Sequence, residues 1–327
     1  MVIRLATLLV RSAHPGGFSI YRKHRNERMQ YQKPPITIAN QIATLKKRGL
    51  AIGDEAKAAH YLSNISYYRL RAYTYPFQDN DNPDHPFNKI VSFEEIIELY
   101  VFDRQLRLTV FDALEKIEIA LRTKIIYTYS INYGSHWYEM PELYRNPTRY
   151  VADLSKVYEE VGRSTETFIQ HYKGKYKEPE QPPSWMSLEV VSMGLLSKLF
   201  ENLKKGPEKM VVAEAFGLKN VFILESWMHA FSHLRNICAH HCRLWNRRFT
   251  TAPQLPTNPS SYFLNDRNFR PNKLYSLLSC MLYVLKIISP KNTFASRLKA
   301  LILMSDYINL KEMGFPENWT KEPLWES

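Results

Sequence analysis

The sequence predicts an all-α fold: a helical bundle with an additional helical lobe at its amino-terminal side. Three observations carry this. Leu99, Phe102, Leu106, Val110, Ala113, Ile117 and Leu121 recur at spacings of three and four within one uninterrupted segment, residues 93–132, as on a helix with one buried face. A second segment, residues 220–240, has a helical pattern and opens on Asn220, a residue suited to cap it. Proline and glycine clusters cut the rest of the chain into shorter pieces, several of the same character.

Residues 1–30 read as an extension of uncertain order. The apolar run at residues 5–10 is too short to span a membrane and is flanked by Arg4 and Arg11. The segment has the outline of a signal peptide without its apolar core, and Met29 offers an alternative start. Residues 31–88 form the predicted amino-terminal lobe. Thr37 is placed to cap a helix ending near Gly49, and residues 54–63 give another. The aromatic patch Tyr67, Tyr68, Tyr73, Tyr75 and Phe77 reads as packing between helices, with base stacking as the alternative. An Asp-, Asn- and Pro-rich loop at residues 79–88 closes the lobe.

Residues 89–310 form the predicted main helical domain, with residues 93–132 as its spine. Asp103, Arg104, Arg107, Glu115, Glu118 and Arg122 on that spine read as solvated or intrabundle ion pairs. A metal-binding reading would need a matching Glu-x-x-His helix, which is missing. Residues 134–184 look less regular and include a basic, proline-containing insertion near 171–184. There Lys173, Lys175 and Lys177 alternate with tyrosines, a pattern that suits an RNA backbone and an exposed loop equally. Helices are expected at 188–203, 208–216, 220–240, 273–288 and 293–308. The proline-rich loop 249–271 is expected to be a lid or a connector, with Arg267, Arg270 and Lys273 able to close over a phosphate. The tail, residues 311–327, gives no pattern.

Composition narrows the partners. Forty-four Lys and Arg face 32 Asp and Glu, a net charge of +12, which favours a polyanion and steers its approach. A membrane-surface or simply soluble basic protein is the alternative. The 45% hydrophobic content suffices for a packed core, and three cysteines without paired spacing fit a reducing cytoplasm. The most apolar late run, residues 274–288, contains Lys286 and falls short of the roughly eighteen residues of a membrane span.

The candidate chemistry sits in Arg235-Asn236-Ile237-Cys238-Ala239-His240. Cleavage of RNA by its own 2'-hydroxyl needs a proton acceptor or donor that works near neutral pH, and imidazole titrates at about 6.5. Negative charge gathers on the phosphate oxygens in the transition state, and a guanidinium answers it at any working pH. His240 and Arg235 are the candidates. Asn236 lies four residues before His240, where its amide could orient the ring. Arg235 lies about 140° round the helix from His240, so one straight helix does not aim both at one phosphate. Only His240 and His241 follow an arginine at this spacing, and both share Arg235. The ordinary alternative is a pair of polar residues favoured at a helix end. A zinc reading of His229, His233, Cys238 and Cys242 lacks a carboxylate in register and turns its cysteines away from the histidines. Arg243, Arg247 and Arg248 extend the positive surface, with Trp245 stacking a base or anchoring the loop.

Three blocks carry a resemblance to a known family. Lys33-Pro34-Pro35-Ile36-Thr37 with His60-Tyr61-Leu62-Ser63-Asn64-Ile65-Ser66-Tyr67-Tyr68-Arg69-Leu70 is the first. Pro183-Ser184-Trp185-Met186-Ser187-Leu188-Glu189 with Gly194 is the second. Glu225-Ser226-Trp227-Met228-His229-Ala230 through Arg235-Asn236-Ile237-Cys238-Ala239-His240-His241-Cys242-Arg243-Leu244-Trp245-Asn246-Arg247 is the third. In this order they resemble the Abi-like abortive-infection proteins, the AbiD and AbiF group within the HEPN ribonuclease superfamily, over most of residues 30–290. The resemblance implies a HEPN-type bundle acting in bacterial anti-phage defence as an endoribonuclease toxin. It places the arginine, polar and histidine positions of the family motif on Arg235, Asn236 and His240, with His241 also within the permitted spacing. It implies no metal or other cofactor, a homodimer because each chain carries one motif, and a structured noncoding RNA as a candidate inhibitor. The expected products are a 2',3'-cyclic phosphate and a 5'-hydroxyl. The alternative is a noncatalytic RNA-binding defence regulator.

Overall fold

The computed structural model describes residues 30–305 and 307–326. The expectations for residues 1–29, including the start at Met29, lie outside the described residues. The chain divides into a unit Met1–Thr37, whose described residues carry no regular secondary structure, and a second unit, Ile38–Ser327. Among the described residues, thirteen α-helices follow in order: α1 (Ile38–Lys47), α2 (Glu55–Ile65), α3 (Tyr67–Thr74), α4 (Phe93–Tyr133), α5 (Pro147–Arg163), α6 (Thr167–Lys175), α7 (Ser184–Ser187), α8 (Met193–Asn202), α9 (Pro207–Glu214), α10 (Val221–Ala239), α11 (Leu274–Ile288), α12 (Phe294–Leu303) and α13 (Leu310–Met313). The fold is all-α, as the sequence predicts.

Helix α4 is the spine. Its start is fixed by a reciprocal cap: the Glu95 N–H donates to Ser92 Oγ at 3.2 Å and the Ser92 N–H to Glu95 Oε2 at 2.6 Å. All seven residues of the predicted stripe are buried. A buried Leu, Ile or Phe contributes roughly 1.5–3 kcal/mol, against about 1–2 kcal/mol for fixing one residue's backbone, so packing rather than propensity holds this long helix. Helices α3, α7, α8, α9, α10, α11 and α12 all pack on it.

Two stretches depart from the sequence reading. Residues 134–184 are more regular than expected, for they contain α5 and α6. Asn146 caps α5 by accepting the Arg149 N–H at 2.9 Å, Pro147 opens it, and Tyr150, Val157 and Val161 form its buried stripe. The helix expected over 188–203 starts later, as α8, with residues 188–192 non-helical and the short α7 ahead of them. Arg122 on α4 donates to the carbonyls of Leu188 and Val191, the latter at 3.0 Å, and Ser192 starts α8 by accepting the Leu195 N–H. The acceptors of a continuous helix are thus taken by a buried guanidinium.

The loop 249–271 is tied down rather than free to close. Phe249, Phe263 and Leu264 are buried, the Trp227 indole N–H donates to Gln254 O at 2.7 Å, and Glu322 accepts the N–H groups of Asn265 and Asp266 at 2.7 and 2.9 Å. Glu322 belongs to the tail that looked patternless, whose Trp319 and Trp325 are buried beside Tyr275 and Phe315. Among the described residues no helix is long and apolar enough to cross a membrane.

Candidate active site

The site is built at the carboxyl end of α10, where the chain must turn sharply. Asn220 caps the start of the helix through the Phe222 N–H at 2.9 Å. At its end His240 is the cap residue, and the next two N–H groups reach back: His241 to Cys238 O at 3.1 Å and Cys242 to Ile237 O at 3.0 Å. This is the paired closure of a Schellman turn. Its left-handed position, φ 55°, is filled by His241 rather than by glycine. A non-glycine residue there is strained by roughly 1–2 kcal/mol, strain of the kind that collects at functional turns.

A buried carboxylate holds the chain that leaves this turn. Asp103 of α4 is fully buried and accepts the Trp245 N–H at 2.6 Å, the Leu244 N–H at 3.1 Å, the Tyr73 hydroxyl at 2.6 Å and the Arg107 guanidinium. Burial pushes its carboxyl up, while Tyr73, Arg107 and the two backbone N–H groups pull against that rise. Every one of these neighbours is a donor, the surrounding of a carboxylate rather than a carboxylic acid. Burial, with Asp103 adding to it, also raises the Tyr73 phenol, which keeps its proton as a donor. Arg107 additionally reaches Cys242 O at 3.4 Å. Helix α3 grips the same turn from the other side: Arg69 Nη1 donates to His241 O at 2.8 Å, and Arg243 donates to Ala72 O.

His240 and His241 are exposed and line an open cleft of about 640 Å³ between the turn and α3. Arg69, Arg71, Arg243 and Arg247 line it as well, and none of its lining residues is acidic. The bond between His240 and Asn236 runs through the backbone, His240 N–H to Asn236 O at 2.9 Å. Among the described residues the expected bond from the Asn236 amide to the imidazole is not formed, and Asn236 is exposed.

Arg235 does not line this cleft. Its guanidinium lies 5.7 Å from the centre of the Phe111 ring and its Nε 3.8 Å from Glu118 Oε2, with the side chain 40% exposed. Glu118 also accepts Arg122 Nη2 at 2.9 Å, so the carboxylate sits between the two arginines. Within one chain the two motif residues face different surroundings, as the helical angle anticipates.

The other candidate RNA contacts divide by burial. Arg247 sits in the cleft with its Nε donating to Arg243 O at 2.9 Å, and Arg248 is exposed beside it. Arg243 has its guanidinium drawn inward by Ala72 O. Trp245 is only 3% exposed, which makes it an anchor and removes its face from any base. Lys273 is buried too, its Nζ donating to Glu312 O at 2.8 Å, so it cannot close over a phosphate. Arg270 is exposed, and Arg267 donates to Pro256 O at 2.7 Å. Lys173 is committed to the carbonyls of Val161 and Gly162 at the end of α5, at 3.0 and 3.2 Å. Lys175 lies over the Tyr176 ring at 5.3 Å, and Lys177 is exposed.

Among the described residues no three His, Cys, Asp or Glu side chains are grouped to hold a metal ion. Burial pushes the Cys238 thiol up to about 12. Sequence reasoning missed Arg69, Arg71 and the Tyr73–Asp103–Arg107 cluster as parts of the site. A faint signal was present, since Arg69 lies within the first family-like block.

A search of curated proteins finds no match to this chain, and neither does a search of solved structures. A family model does match, the one described as Abi-like protein, over residues 60–246. The match begins ahead of α3, covers α4 and α8, and ends just past the turn held by Asp103. It takes in every residue of the cleft except Arg247, and it covers more than half of the sequence. The chain therefore belongs to the family of Abi-like proteins.

Proposed function

We propose that the protein is a metal-independent endoribonuclease toxin of anti-phage defence, a HEPN-type enzyme of the AbiD and AbiF group. The observation that carries this is an exposed imidazole, His240, at a strained helix end, on a cleft with four arginines and no acidic residue. The reaction is attack of a ribose 2'-oxygen on the adjacent phosphorus, with breakage of the bond to the 5'-oxygen. His240 takes the proton from the 2'-hydroxyl or gives one to the leaving 5'-oxygen. Products are a 2',3'-cyclic phosphate and a 5'-hydroxyl, and the proton balance needs no metal. Arg235 neutralises the charge that builds on the non-bridging oxygens. Because Arg235 faces Phe111 and Glu118 rather than the cleft, the complete site takes Arg235 from a second copy of the chain. A structured RNA bound across the half-buried Arg247 and the exposed Arg248 would hold the toxin inactive.

One observation favours a second reading. The separation of Arg235 from the cleft equally suits a regulator that grips RNA without cutting it. Cleavage of RNA by purified protein in EDTA distinguishes the two. Arg235→Ala and His240→Ala are each expected to lower that cleavage at least about a hundredfold, the usual scale for losing a positioned acid, base or charge stabiliser. Cleavage at the wild-type rate in both variants would remove the catalytic assignment.

A further inference from the structure

The amino-terminal face of the cleft carries a pattern that the cleavage chemistry does not use. On α3 and the turn that continues it, Tyr68, Arg71, Ala72 and Tyr75 fall at steps of three, four and seven, so they share one helix face. That face lines the same cleft as His240. The other tyrosines nearby are committed elsewhere: Tyr73 is buried on Asp103, and Tyr67 accepts Arg48 Nη1 at 2.7 Å. Tyr68 is 78% exposed and Tyr75 48%. A single exposed tyrosine is ordinary. Two on one face, with Arg71 between them and Arg69 and Arg247 nearby, form a stacking platform beside a row of positive charge, the combination that engages single-stranded nucleic acid.

We propose that this face of α3 is a subsite for an unpaired RNA segment, whose bases stack on Tyr68 and Tyr75 while Arg71 and Arg247 meet its phosphates. The inference rests on the ribonuclease reading for the identity of the strand as RNA. Duplex RNA is excluded as the ligand of this face because its base faces are hidden in the stack and its deep groove is closed to side chains. The spacing of the rings agrees. Seven residues advance about 10 Å along a helix, about three times the roughly 3.4 Å repeat of bases along a strand, so a segment of about four nucleotides reaches both rings. A base that leaves its neighbour to lie on one of these rings opens the backbone beside it, in the cleft that His240 also lines, and there a 2'-oxygen can swing into line with the neighbouring phosphate. Tyr68 and Tyr75 are thus positioning residues that select unpaired sites.

The test uses the full chain and a short 2'-O-methyl oligouridylate, which binds but cannot be cut because its attacking hydroxyl is blocked. Binding is compared with that of a blunt RNA duplex for wild type, Tyr68→Ala and Tyr68→Phe, each checked for unchanged thermal melting, as its exposure leads one to expect. Tyr68→Ala should weaken single-strand binding about ten- to a hundredfold, the effect of losing one stacking partner. Tyr68→Phe should bind like wild type, and the duplex should be indifferent to either change. Wild-type single-strand affinity in Tyr68→Ala, or equal losses on the duplex, overturns the subsite. A parallel cleavage assay on the same sequence with native ribose separates this from the parent proposal. Cutting that continues while Tyr68→Ala has no effect on binding removes the subsite alone. Tyr68-dependent binding without cutting removes the ribonuclease reading and leaves the subsite standing.

Discussion

Asp103 joins the spine to the turn that carries both histidines. Two of its acceptor bonds go to backbone N–H groups, of Leu244 and Trp245, that lie 141 and 142 positions away. Removing Asp103 takes the carboxylate acceptor from these groups and from the Tyr73 hydroxyl, and leaves the buried Arg107 charge without its counter-ion, with only Cys242 O and Tyr73 Oη in reach. Removing Arg107 leaves Asp103 with three donors. Asp103→Ala is therefore expected to destabilise the protein by about 3–5 kcal/mol, the scale for stranding a buried charge, and Arg107→Met by distinctly less. Urea unfolding monitored by circular dichroism measures both. Equal losses in the two variants would show that the ion pair alone matters and that the backbone bonds do not. From the sequence, Asp103 and Arg107 were legible among charged residues forming solvated or intrabundle pairs, because i to i+4 spacing on a helix is visible in one dimension; which pair is buried was not. The loop they hold was not, since nothing local to residue 103 encodes a partner so far along the chain. His240 was legible because its chemistry and its distance from Arg235 are local. The fate of the neighbouring arginines was less so: Arg243 and Arg247 look alike in sequence, and only packing turns one toward Ala72.

Elements whose cause lies within their own residues were the readable ones. Helix α4 announced its buried stripe, and Asn220 announced the cap at which it accepts the Phe222 N–H. The break between α7 and α8 was unreadable, because its cause is the guanidinium of Arg122 on another helix. Helix α5 was overlooked although its cause is local: Asn146 and Pro147 mark its start, and Tyr150, Leu154, Val157 and Val161 recur at four, three and four. Tight inter-element contacts are likewise invisible in one dimension. Gly217, after α9, adopts φ 71°, and a Cβ there would come within 2.6 Å of both Tyr283 Oη and Ile287 Cδ1 on α11. Its carbonyl accepts the Tyr283 hydroxyl at 2.7 Å and the Ser260 N–H at 3.1 Å, so this one turn docks α9 and the long loop onto α11. Gly217→Ala combines left-handed strain with overpacking and is expected to cost about 2–4 kcal/mol, read as a lowered melting temperature. A variant that melts with the wild type would mean that α11 gives way at that contact.

At the scale of the whole molecule, the proposed reading completes the site with a second chain, and the surface of α4 offers a face for it. Helix α4, on which Arg235 rests through Phe111 and Glu118, exposes Val101, Leu108 and Ile119. They recur at steps of seven and eleven, which returns them to nearly one line along the helix. Such a line of apolar side chains, about a quarter-turn round α4 from Phe111 and Glu118, is the kind of surface that a twofold interface buries against its own copy. The direct check mixes Arg235→Ala with His240→Ala chains. Neither homodimer has a complete site. In a heterodimer, one site receives Arg235 from the His240→Ala chain and His240 from the Arg235→Ala chain, while the other site lacks both. Random exchange makes about half of the dimers heterodimers, each with one working site of two, so the mixture should recover about a quarter of wild-type cleavage. Exchange is verified by copurification through a tag carried on one chain only. If tagged and untagged chains copurify and the mixture still cuts no faster than the two variants apart, each site draws both residues from a single chain, and Arg235 must then swing away from Phe111 and Glu118 to reach the cleft.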